Sequence, residues 1–156
     1  MAEFQTAIEI AAPPQTVFDY LTTEAGMTAW MGQQADLDPR PGGRFAVNIA
    51  GHAIRGEYLQ VEPPARVVVS WGMAGSEHLP PGASTVEFRL TPIDGGTRVE
   101  LTHSGLPEVA LAGHADGWGH FLPRLAVSAP GAEAGPDQWR PLPDRLVPTD
   151  SKEDRA

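Results

Sequence analysis

The sequence predicts an α+β fold in which a curved antiparallel sheet, of about six to seven strands, wraps around a long C-terminal helix. Alternating apolar and polar residues, which are typical of strands, recur between Phe4 and Thr102 on either side of one early helical region. Near the end of the chain, Trp118, Phe121 and Leu125 recur at the spacing of one helical face. A single apolar helix that follows a long sheet is expected to cover the concave face of that sheet.

The N-terminal elements are predicted to be one strand and two short helices. Apolar residues alternate with polar ones over residues 4–10, which indicates a half-buried strand. Pro13 and Pro14 then favour the start of a helix, because proline has the φ of a first helical turn and lacks an N–H that would be unpaired there. A second helix is predicted at about residues 24–31, where Gly26 makes the pattern less regular.

Strands bounded by turn residues fill the middle of the chain. The alternation predicts them at residues 45–49, 52–62 and 67–71, followed by a pair at residues 86–90 and 99–101. Between these two groups, residues 75–84 contain Pro80, Pro81 and Gly82, which indicates a loop. We interpret this loop as a candidate flap beside the mouth of any cavity.

The last two strands are predicted to form a hairpin around Asp94 and Gly95, a dipeptide typical of two-residue turns. The preferred register puts apolar residues opposite each other on one face and opposite charges across the other face. This register pairs Leu90 with Val99, Phe88 with Leu101 and Arg89 with Glu100.

We expect one domain over residues 1–129 and a Pro-rich extended or disordered tail over residues 130–156. A chain of 156 residues is long enough for one domain with a sizeable core. The tail contains five prolines and no usable apolar periodicity. Within it, Trp139 is a candidate anchor on the surface of the domain.

Composition and charge argue against several classes of partner. The net charge is −9 and Lys152 is the only lysine, so no cationic surplus is available to displace the counterions of nucleic acid. No apolar run approaches the length of a membrane span, which argues against membrane insertion, and no secretory leader is expected. The sequence has no cysteine, which excludes disulfides and thiolate chemistry and fits a cytoplasmic protein.

A set of aromatic, methionine and histidine residues is the candidate binding site for a ligand between sheet and helix. Aromatic and thioether groups form large, adaptable apolar walls, and this set exceeds what a thin sheet–helix layer needs. The candidate ligand-binding residues are Met27, Trp30, Met31, Tyr58, Trp71, Met73, His103, His114, Trp118 and Phe121. Each has an alternative interpretation as an ordinary core residue.

Two histidines of this set are candidates for polar contacts. His103 continues the alternation of Val99 and Leu101, so its imidazole should point inward. There it could hydrogen-bond a ligand, act as a base, or be bonded to backbone or water. His114 precedes Trp118 by one helical turn and shares its side of the helix. Glu57 is either an inward acid or one partner of a surface ion pair.

No catalytic residue, metal site or cofactor is assigned from the sequence. It contains no motif of the nucleotide-binding, zinc-protease or nucleophile-elbow type. Its five histidines lack the paired spacing of metal ligands. His114 and His120, for example, are six residues apart and would lie on different helical faces.

Several short motifs, taken in order, resemble the START/Bet v 1-like superfamily. They are residues 13–22 (PPQTVFDYLT), 30–32 (WMG), 40–45 (RPGGRF), 56–67 (GEYLQVEPPARV) with 69–71 (VSW), and Gly117-Trp118 with Leu122 and Leu125. Over about residues 3–129 the chain looks like the branch named for the activator of Hsp90 ATPase homologue 1. The resemblance implies a helix-grip fold, in which an antiparallel sheet curls around the C-terminal helix with a cavity between them.

The resemblance implies no single reaction, since it covers hydrophobic-ligand carriers, aromatic cyclases and a co-chaperone module. Our first hypothesis is that the chain binds a small apolar or amphipathic molecule in this cavity. The alternatives are an enzyme of the cyclase or hydrolase type that uses an inward histidine, and a chaperone-directed interaction module. A homodimer is a further possibility that the sequence does not decide. An Hsp90-type chaperone is not favoured as a partner, because the sequence lacks the separate N-terminal region with which the eukaryotic activators engage Hsp90.

Overall fold

A seven-stranded antiparallel sheet and three helices make up the part of the chain that the computed structural model describes, residues 2–140. In chain order the elements are β1 (Ala2–Ile10), α1 (Pro14–Thr22), α2 (Glu24–Trp30), β2 (Gln34–Leu37), β3 (Arg44–Ile49), β4 (His52–Glu62), β5 (Arg66–Met73), β6 (Ser84–Ile93), β7 (Gly96–Leu106) and α3 (Glu108–Ser128). The predicted α+β class is therefore confirmed.

The strands lie in the order β1-β7-β6-β5-β4-β3-β2, so the first strand pairs with the last one and both edges of the sheet come from the N-terminal part of the chain. Every pair is antiparallel. Because β2 to β7 follow each other as neighbours, hairpins alone build most of the sheet. Only β1 needs a long-range pairing, and its partner β7 leads directly into α3.

The predicted β6–β7 hairpin is confirmed together with its register. Leu90 pairs with Val99, Phe88 with Leu101, and Arg89 with Glu100. Successive residues of each strand point to opposite faces of the hairpin. Apolar side chains therefore lie on one face, and charged side chains lie on the other. The apolar face points toward α3 and belongs to the core.

Helix α3 begins earlier than the apolar pattern of Trp118, Phe121 and Leu125 indicates. It starts after Pro107 and runs for 21 residues, with Pro123 inside it. The helix lies against β1 and α2. Near its C-terminal end, Ser128 Oγ donates to the carbonyl of Ala29 at 3.2 Å, which ties α3 to α2. The inner face of α3 carries Trp118, Phe121, Leu122 and Leu125, all at most 3% exposed.

The residues of strand β2 were not predicted to form a strand. It is a four-residue edge strand, and its partly buried Ala35 and Leu37 alternate with the exposed Gln34 and Asp36. Four residues are too few to separate such an alternation from chance, which explains the omission. The predicted loop at residues 75–84 is observed with slightly different limits, between the end of β5 and Ser84.

Residues 130–140 continue from α3 without forming a helix or strand and return along its outer side. The predicted anchor is confirmed, because the Trp139 ring stacks on His120 with centroids 5.7 Å apart. The rest of the tail, residues 141–156, lies outside the described residues. The division into residues 1–129 and 130–156 stays a prediction.

The β3–β4 hairpin contains a strained residue that offers a simple stability test. Ala50 has a φ of 50° and is followed by Gly51 at 86° in a two-residue turn. A non-glycine residue in this left-handed region costs roughly 1–2 kcal/mol, and asparagine tolerates it best. We expect Ala50→Asn to raise the free energy of unfolding by about 1 kcal/mol in urea denaturation. Ala50→Val is the control with the opposite sign, and equal stability of both variants would contradict the turn assignment.

Candidate functional site

Two tryptophans and two histidines meet between the sheet and α3, and they come from the set predicted as ligand-binding residues. Trp71 lies on β5, His103 on β7, and His114 and Trp118 on α3. The centroids of the Trp71 and Trp118 rings are 5.2 Å apart, and those of the His103 and His114 rings are 4.9 Å apart. These four residues are called the Trp–His cluster below.

His103 is fully buried and both of its ring nitrogens are occupied. Trp118 Nε1 donates to His103 Nδ1 at 3.1 Å. His103 Nε2 lies 2.8 Å from Ser84 Oγ, and the Ser84 hydroxyl donates to the carbonyl of Trp71 at 2.8 Å. Because the hydroxyl proton is used in that second bond, His103 Nε2 must carry the proton and donate to Ser84. The network therefore assigns a neutral imidazole with its proton on Nε2.

His114 has the complementary arrangement. Its Nδ1 lies 2.9 Å from the carbonyl of Ala110, an acceptor, so Nδ1 carries the proton. Its Nε2 accepts from Trp71 Nε1 at 3.2 Å. The two indole–imidazole bonds thus cross the layer in opposite senses. A sheet tryptophan donates to a helix histidine, and a helix tryptophan donates to a sheet histidine.

The surroundings of His103 strongly favour its uncharged imidazole. Burial, and secondarily the neighbouring His114, lowers the pKa of His103 to about 2. Protonation would also place a new N–H on Nδ1, directly against the indole N–H of Trp118. In this arrangement His103 has no free lone pair with which to take a proton from a substrate. The prediction that His103 points inward is confirmed, and its chemistry here is that of a hydrogen-bonding group.

Little free space remains around the inner members of the predicted set. Trp71 is 4% exposed, Trp118 2% and His103 0%. Phe45 and Phe88 fill the surroundings, with ring centroids 5.9 Å from Trp71 and from Trp118 respectively. The interior is therefore filled by side chains next to these residues.

The cluster reaches the surface at one end of the sheet. His114 and Met73 are each partly exposed, unlike Trp71 and Trp118. Met73 Sδ lies 3.0 Å from Nδ1 of His52, another partly exposed side chain. The adjoining loop is held on the sheet by a 2.8 Å bond from Met73 N to the carbonyl of Leu79, whose side chain is buried. A molecule from solvent would first meet His114 and Met73.

A second group of the predicted residues packs against α1 and α2, and its side-chain hydrogen bonds go to backbone carbonyls of α1. Trp30 Nε1 donates to the carbonyl of Tyr20 at 3.0 Å, and the Tyr58 hydroxyl donates to the carbonyl of Leu21 at 3.0 Å. The residues of this group are Met27, Trp30, Met31 and Tyr58, none more than 1% exposed. Phe121 is also buried, and on its outer side it packs edge-on against Trp139 with centroids 5.0 Å apart. A ligand-binding role for these five residues stays a prediction.

Tyr58 allows a direct test of this structural contact. Burial raises the pKa of its hydroxyl, so the group stays protonated and remains a donor to Leu21. Tyr58→Phe leaves a buried carbonyl without its partner, and we expect the free energy of unfolding to fall by about 1–2 kcal/mol in urea denaturation. Tyr20→Phe, at a partly exposed tyrosine, is the matched control and should change it by less than about 0.5 kcal/mol. Equal effects would contradict the assigned bond.

Two residues that matter here were missed in the sequence. Ser84 fixes the tautomer of His103, and its place on the inward face could have been found, since it continues the alternation of Val86 and Phe88. Arg124 joins α2 to the C-terminal segment, with Nε donating to the carbonyl of Trp30 at 3.1 Å. No periodic signal marks a cation of this kind. Glu57 is exposed, so an inward acid at this position is not observed.

The opposite face of the sheet carries a shallow open groove of about 510 Å³. Its walls are mostly polar and include charged side chains that pair with each other, Arg89 with Glu87 at 2.9 Å and Arg98 with Glu100 at 3.5 Å. Such a surface does not suit an apolar ligand.

Within residues 2–140, no three His, Asp or Glu side chains converge as metal ligands would. In the same residues, no helix is long and apolar enough to cross a membrane.

Comparisons with known proteins agree on the family. The model of the activator of Hsp90 ATPase homologue 1-like protein family matches residues 11–129. No curated protein matches the chain. Among solved structures, an AHSA1-like protein from Rhizobium etli is 40% identical with a TM-score of 0.70, over 89% of this chain and 88% of that one. CalU16 from Micromonospora echinospora is 30% identical with a TM-score of 0.65, over 80% of this chain and 72% of that one.

The fold itself has further support from a more distant relative. Aha1 from Colwellia psychrerythraea, whose solution structure is that of a dimer, is 21% identical with a TM-score of 0.74, over 83% of this chain and 96% of that one. At this identity the likeness concerns the fold alone. The helix-grip fold is thus confirmed, with the sheet curved around α3. By the family model, by the 40% identical relative and by this fold, the chain belongs to the activator of Hsp90 ATPase homologue 1-like family.

Proposed function

We propose that the chain binds a small uncharged aromatic molecule carrying a hydroxyl or amide group, and that this molecule inserts between Trp71 and His114. The observation that carries the proposal is the 3.2 Å hydrogen bond from Trp71 Nε1 to His114 Nε2, at the partly exposed end of the Trp–His cluster. The family and fold support a ligand-binding or cyclase-type role without specifying the ligand. We place this role in the cytoplasm, as the sequence leads us to expect.

The chemistry of the pair defines the ligand class. An indole N–H and an imidazole nitrogen face each other, so one donor and one acceptor become available when they separate. A hydroxyl group accepts from Trp71 and donates to His114 at the same time, and an amide offers the same two functions. A ligand with neither function would leave the buried Trp71 indole N–H unpaired, at a cost of about 1–3 kcal/mol, and would remove the hydrogen bond that the partly exposed His114 accepts.

The surroundings define the rest of the molecule. Trp71, Phe45 and Met73 supply apolar and aromatic walls, which favour an aromatic body. His103 is neutral, and none of the four cluster members carries a formal charge in the assigned tautomers. A charged ligand would lose its hydration without gaining an opposite charge. Because the interior is filled, the ligand must displace side chains, and the partly exposed Met73 and His114 are the ones that it reaches first.

The test uses three naphthalene probes and the indole N–H signals of the four tryptophans in ¹H–¹⁵N NMR spectra. We expect 2-naphthol to shift the Trp71 signal and to leave the Trp139 signal unchanged. Naphthalene should bind about five- to 150-fold more weakly, since it leaves the Trp71 indole N–H unpaired at a cost of about 1–3 kcal/mol. The anionic 2-naphthoate should bind more weakly still.

A variant pair makes the assignment specific. His114→Leu should abolish the preference for 2-naphthol over naphthalene, whereas His78→Leu, on the β5–β6 loop, should keep it. The proposal is wrong if none of the three probes shifts the Trp71 signal, or if 2-naphthoate binds as tightly as 2-naphthol.

The two alternatives from the sequence have less support. An enzyme would need two acid–base groups at a common substrate atom, but Glu57 is exposed and both nitrogens of His103 are already bonded. An interaction module predicts a contiguous apolar surface. Among the described residues the large exposed apolar side chains are Leu59 on β4 and Val127 on α3, two isolated positions. A small molecule is therefore our proposed partner; a homodimer, and the expected lack of an Hsp90-type partner, stay predictions.

A further inference from the structure

Residues 130–140, called the strap below, run back along the outer side of α3. At the near end, Arg124 on α3 donates to the carbonyls of Ala134 and Gly135 at 3.3 and 3.0 Å. At the far end, Trp139 Nε1 donates to Asp116 Oδ2 at 3.0 Å. The strap therefore spans the helix from Arg124 back to Asp116, more than two turns.

The Trp139 ring sits in a fitted position on the helix. It is nearly parallel to the His120 ring, at an interplanar angle of 14°, and edge-on to Phe121 at 67°. Gly117 lies beneath it, and a Cβ atom at that residue would be 3.5 Å from the indole. Because Gly117 has no side chain, the Trp139 ring lies directly over the helix backbone at this residue.

Asp137 makes the second connection. Its carboxylate accepts from the Trp139 backbone N–H at 3.1 Å and lies 2.7 Å from His120 Nε2. It is 14% exposed and also lies 3.9 Å from Arg124 Nε. Since Arg124 bonds to α2 through the carbonyl of Trp30, the strap, α3 and α2 are joined at one partly buried cation.

The contacts of the strap lie directly behind the Trp–His cluster. Asp116 and Gly117 immediately precede Trp118, which donates to His103 on the inner side. Phe121 belongs to the buried core and touches Trp139 on its other side. The same two helical turns therefore hold the strap outside and the cluster inside.

The central part of α3 depends on such contacts, because its own sequence does not favour a helix. It contains Gly113, Gly117, Gly119 and Pro123. Each glycine costs about 1 kcal/mol relative to alanine, and a proline within the helix also removes a backbone hydrogen bond. The helical conformation of this segment therefore depends on tertiary contacts, those of its apolar inner face and those of the strap.

We propose that the strap acts as a latch on α3, and that its release opens the layer between helix and sheet at the Trp–His cluster. With Trp139 in place the middle of α3 rarely separates from the sheet, and with Trp139 detached it separates more often. The part of this inference that concerns a ligand rests on the proposed function above. The latch itself is a property of the protein without any ligand.

The latch is tested by hydrogen exchange on the full-length protein. In Trp139→Ala we expect the backbone amides of residues 117–125 and the indole N–H groups of Trp71 and Trp118 to exchange about tenfold faster, because two aromatic contacts are lost. The amides at the centre of β6 and β7 should keep their rates. Asp137→Ala should act in the same direction by releasing His120 and Arg124.

Gly119→Ala is the opposing control, because no atom lies within 4 Å of a Cβ at this position. It strengthens the helix without touching the strap and should slow the exchange of α3 amides. The inference is overturned if exchange in α3 and at the two indoles is unchanged in Trp139→Ala, or if it rises equally in β6 and β7, since a uniform rise reports global unfolding.

A kinetic measurement then separates the latch from the proposed function. If 2-naphthol binds wild-type protein, its association rate should rise by about the same tenfold factor in Trp139→Ala. An unchanged association rate would refute control of ligand access, whatever the exchange data show. If 2-naphthol binds neither protein while exchange accelerates as expected, the latch stands and the proposed function fails.

Discussion

Replacing Trp118 with alanine is expected to lower the free energy of unfolding by about 3–5 kcal/mol. The indole is 2% exposed and packs against Trp71 and Phe88 at centroid distances of 5.2 and 5.9 Å. Its removal leaves a cavity between the helix and the sheet. It also leaves His103 Nδ1 buried without a donor, which adds to the cost. Urea denaturation followed by far-UV circular dichroism measures the change.

A double-mutant cycle separates the hydrogen bond from the packing. Trp118→Phe keeps an aromatic ring but removes the donor, and it should cost about 1–3 kcal/mol. In a His103→Leu background the same substitution should cost clearly less, because no acceptor is left unpaired. Ser84 keeps its own acceptor, the carbonyl of Trp71, in both backgrounds. Additive effects of the two substitutions would show that the indole–imidazole bond contributes nothing.

The sheet could be predicted from local signals because its strands are mostly joined by hairpins. The alternation of Phe88 and Leu90 with charged residues, together with the turn at Asp94 and Gly95, determines the β6–β7 register, which the structure confirms. The same alternation, extended along β7, predicts the inward direction of His103. Period-2 patterns carry this information because a shift of one residue would turn every apolar side chain to solvent.

The limits of α3 were harder to predict for a related reason. Its first turns contain Val109 and Leu111 but no aromatic residue, and Gly113 resembles a break in the pattern. The structure begins the helix at Glu108, since packing compensates for low intrinsic propensity. The early strand β2 was missed because four residues give too short a pattern.

The candidate site was predictable in its membership but not in its pairing. Parity and helical spacing place His103, His114 and Trp118 on inner faces, and the structure brings all three together with Trp71. Which indole donates to which imidazole depends on how α3 is rotated over the sheet, and no local pattern encodes that rotation. The role of Arg124 was invisible for the same reason, because its partners come from α2 and from the strap.

The stability of the protein is expected to fall in mild acid because of His103. Burial lowers its pKa in the folded protein from 6.5 to about 2, whereas the unfolded chain titrates near 6.5. Below pH 6.5 the unfolded state therefore binds a proton at His103, whereas the folded state does not. The free energy of unfolding decreases for this reason as the pH falls from about 6.5 toward 2. The loss is about 1.4 kcal/mol per pH unit, or about 2 kcal/mol between pH 6.5 and pH 5.

This window lies above the range in which most Asp and Glu side chains become protonated, and the comparison of wild type with a His103 variant isolates the contribution of His103 from that of the other four histidines. His103→Gln should be less stable at pH 7 but should lose about 2 kcal/mol less than wild type between pH 6.5 and pH 5, as measured by urea denaturation. His78→Gln keeps His103 and is the matched control, with the slope of wild type. Independently, the ring C–H signals of His103 in folded wild type should not titrate between pH 7 and about pH 4, because Nδ1 faces the Trp118 donor. A His103 signal that titrates near pH 6 would contradict both the assigned tautomer and the closed state of the Trp–His cluster.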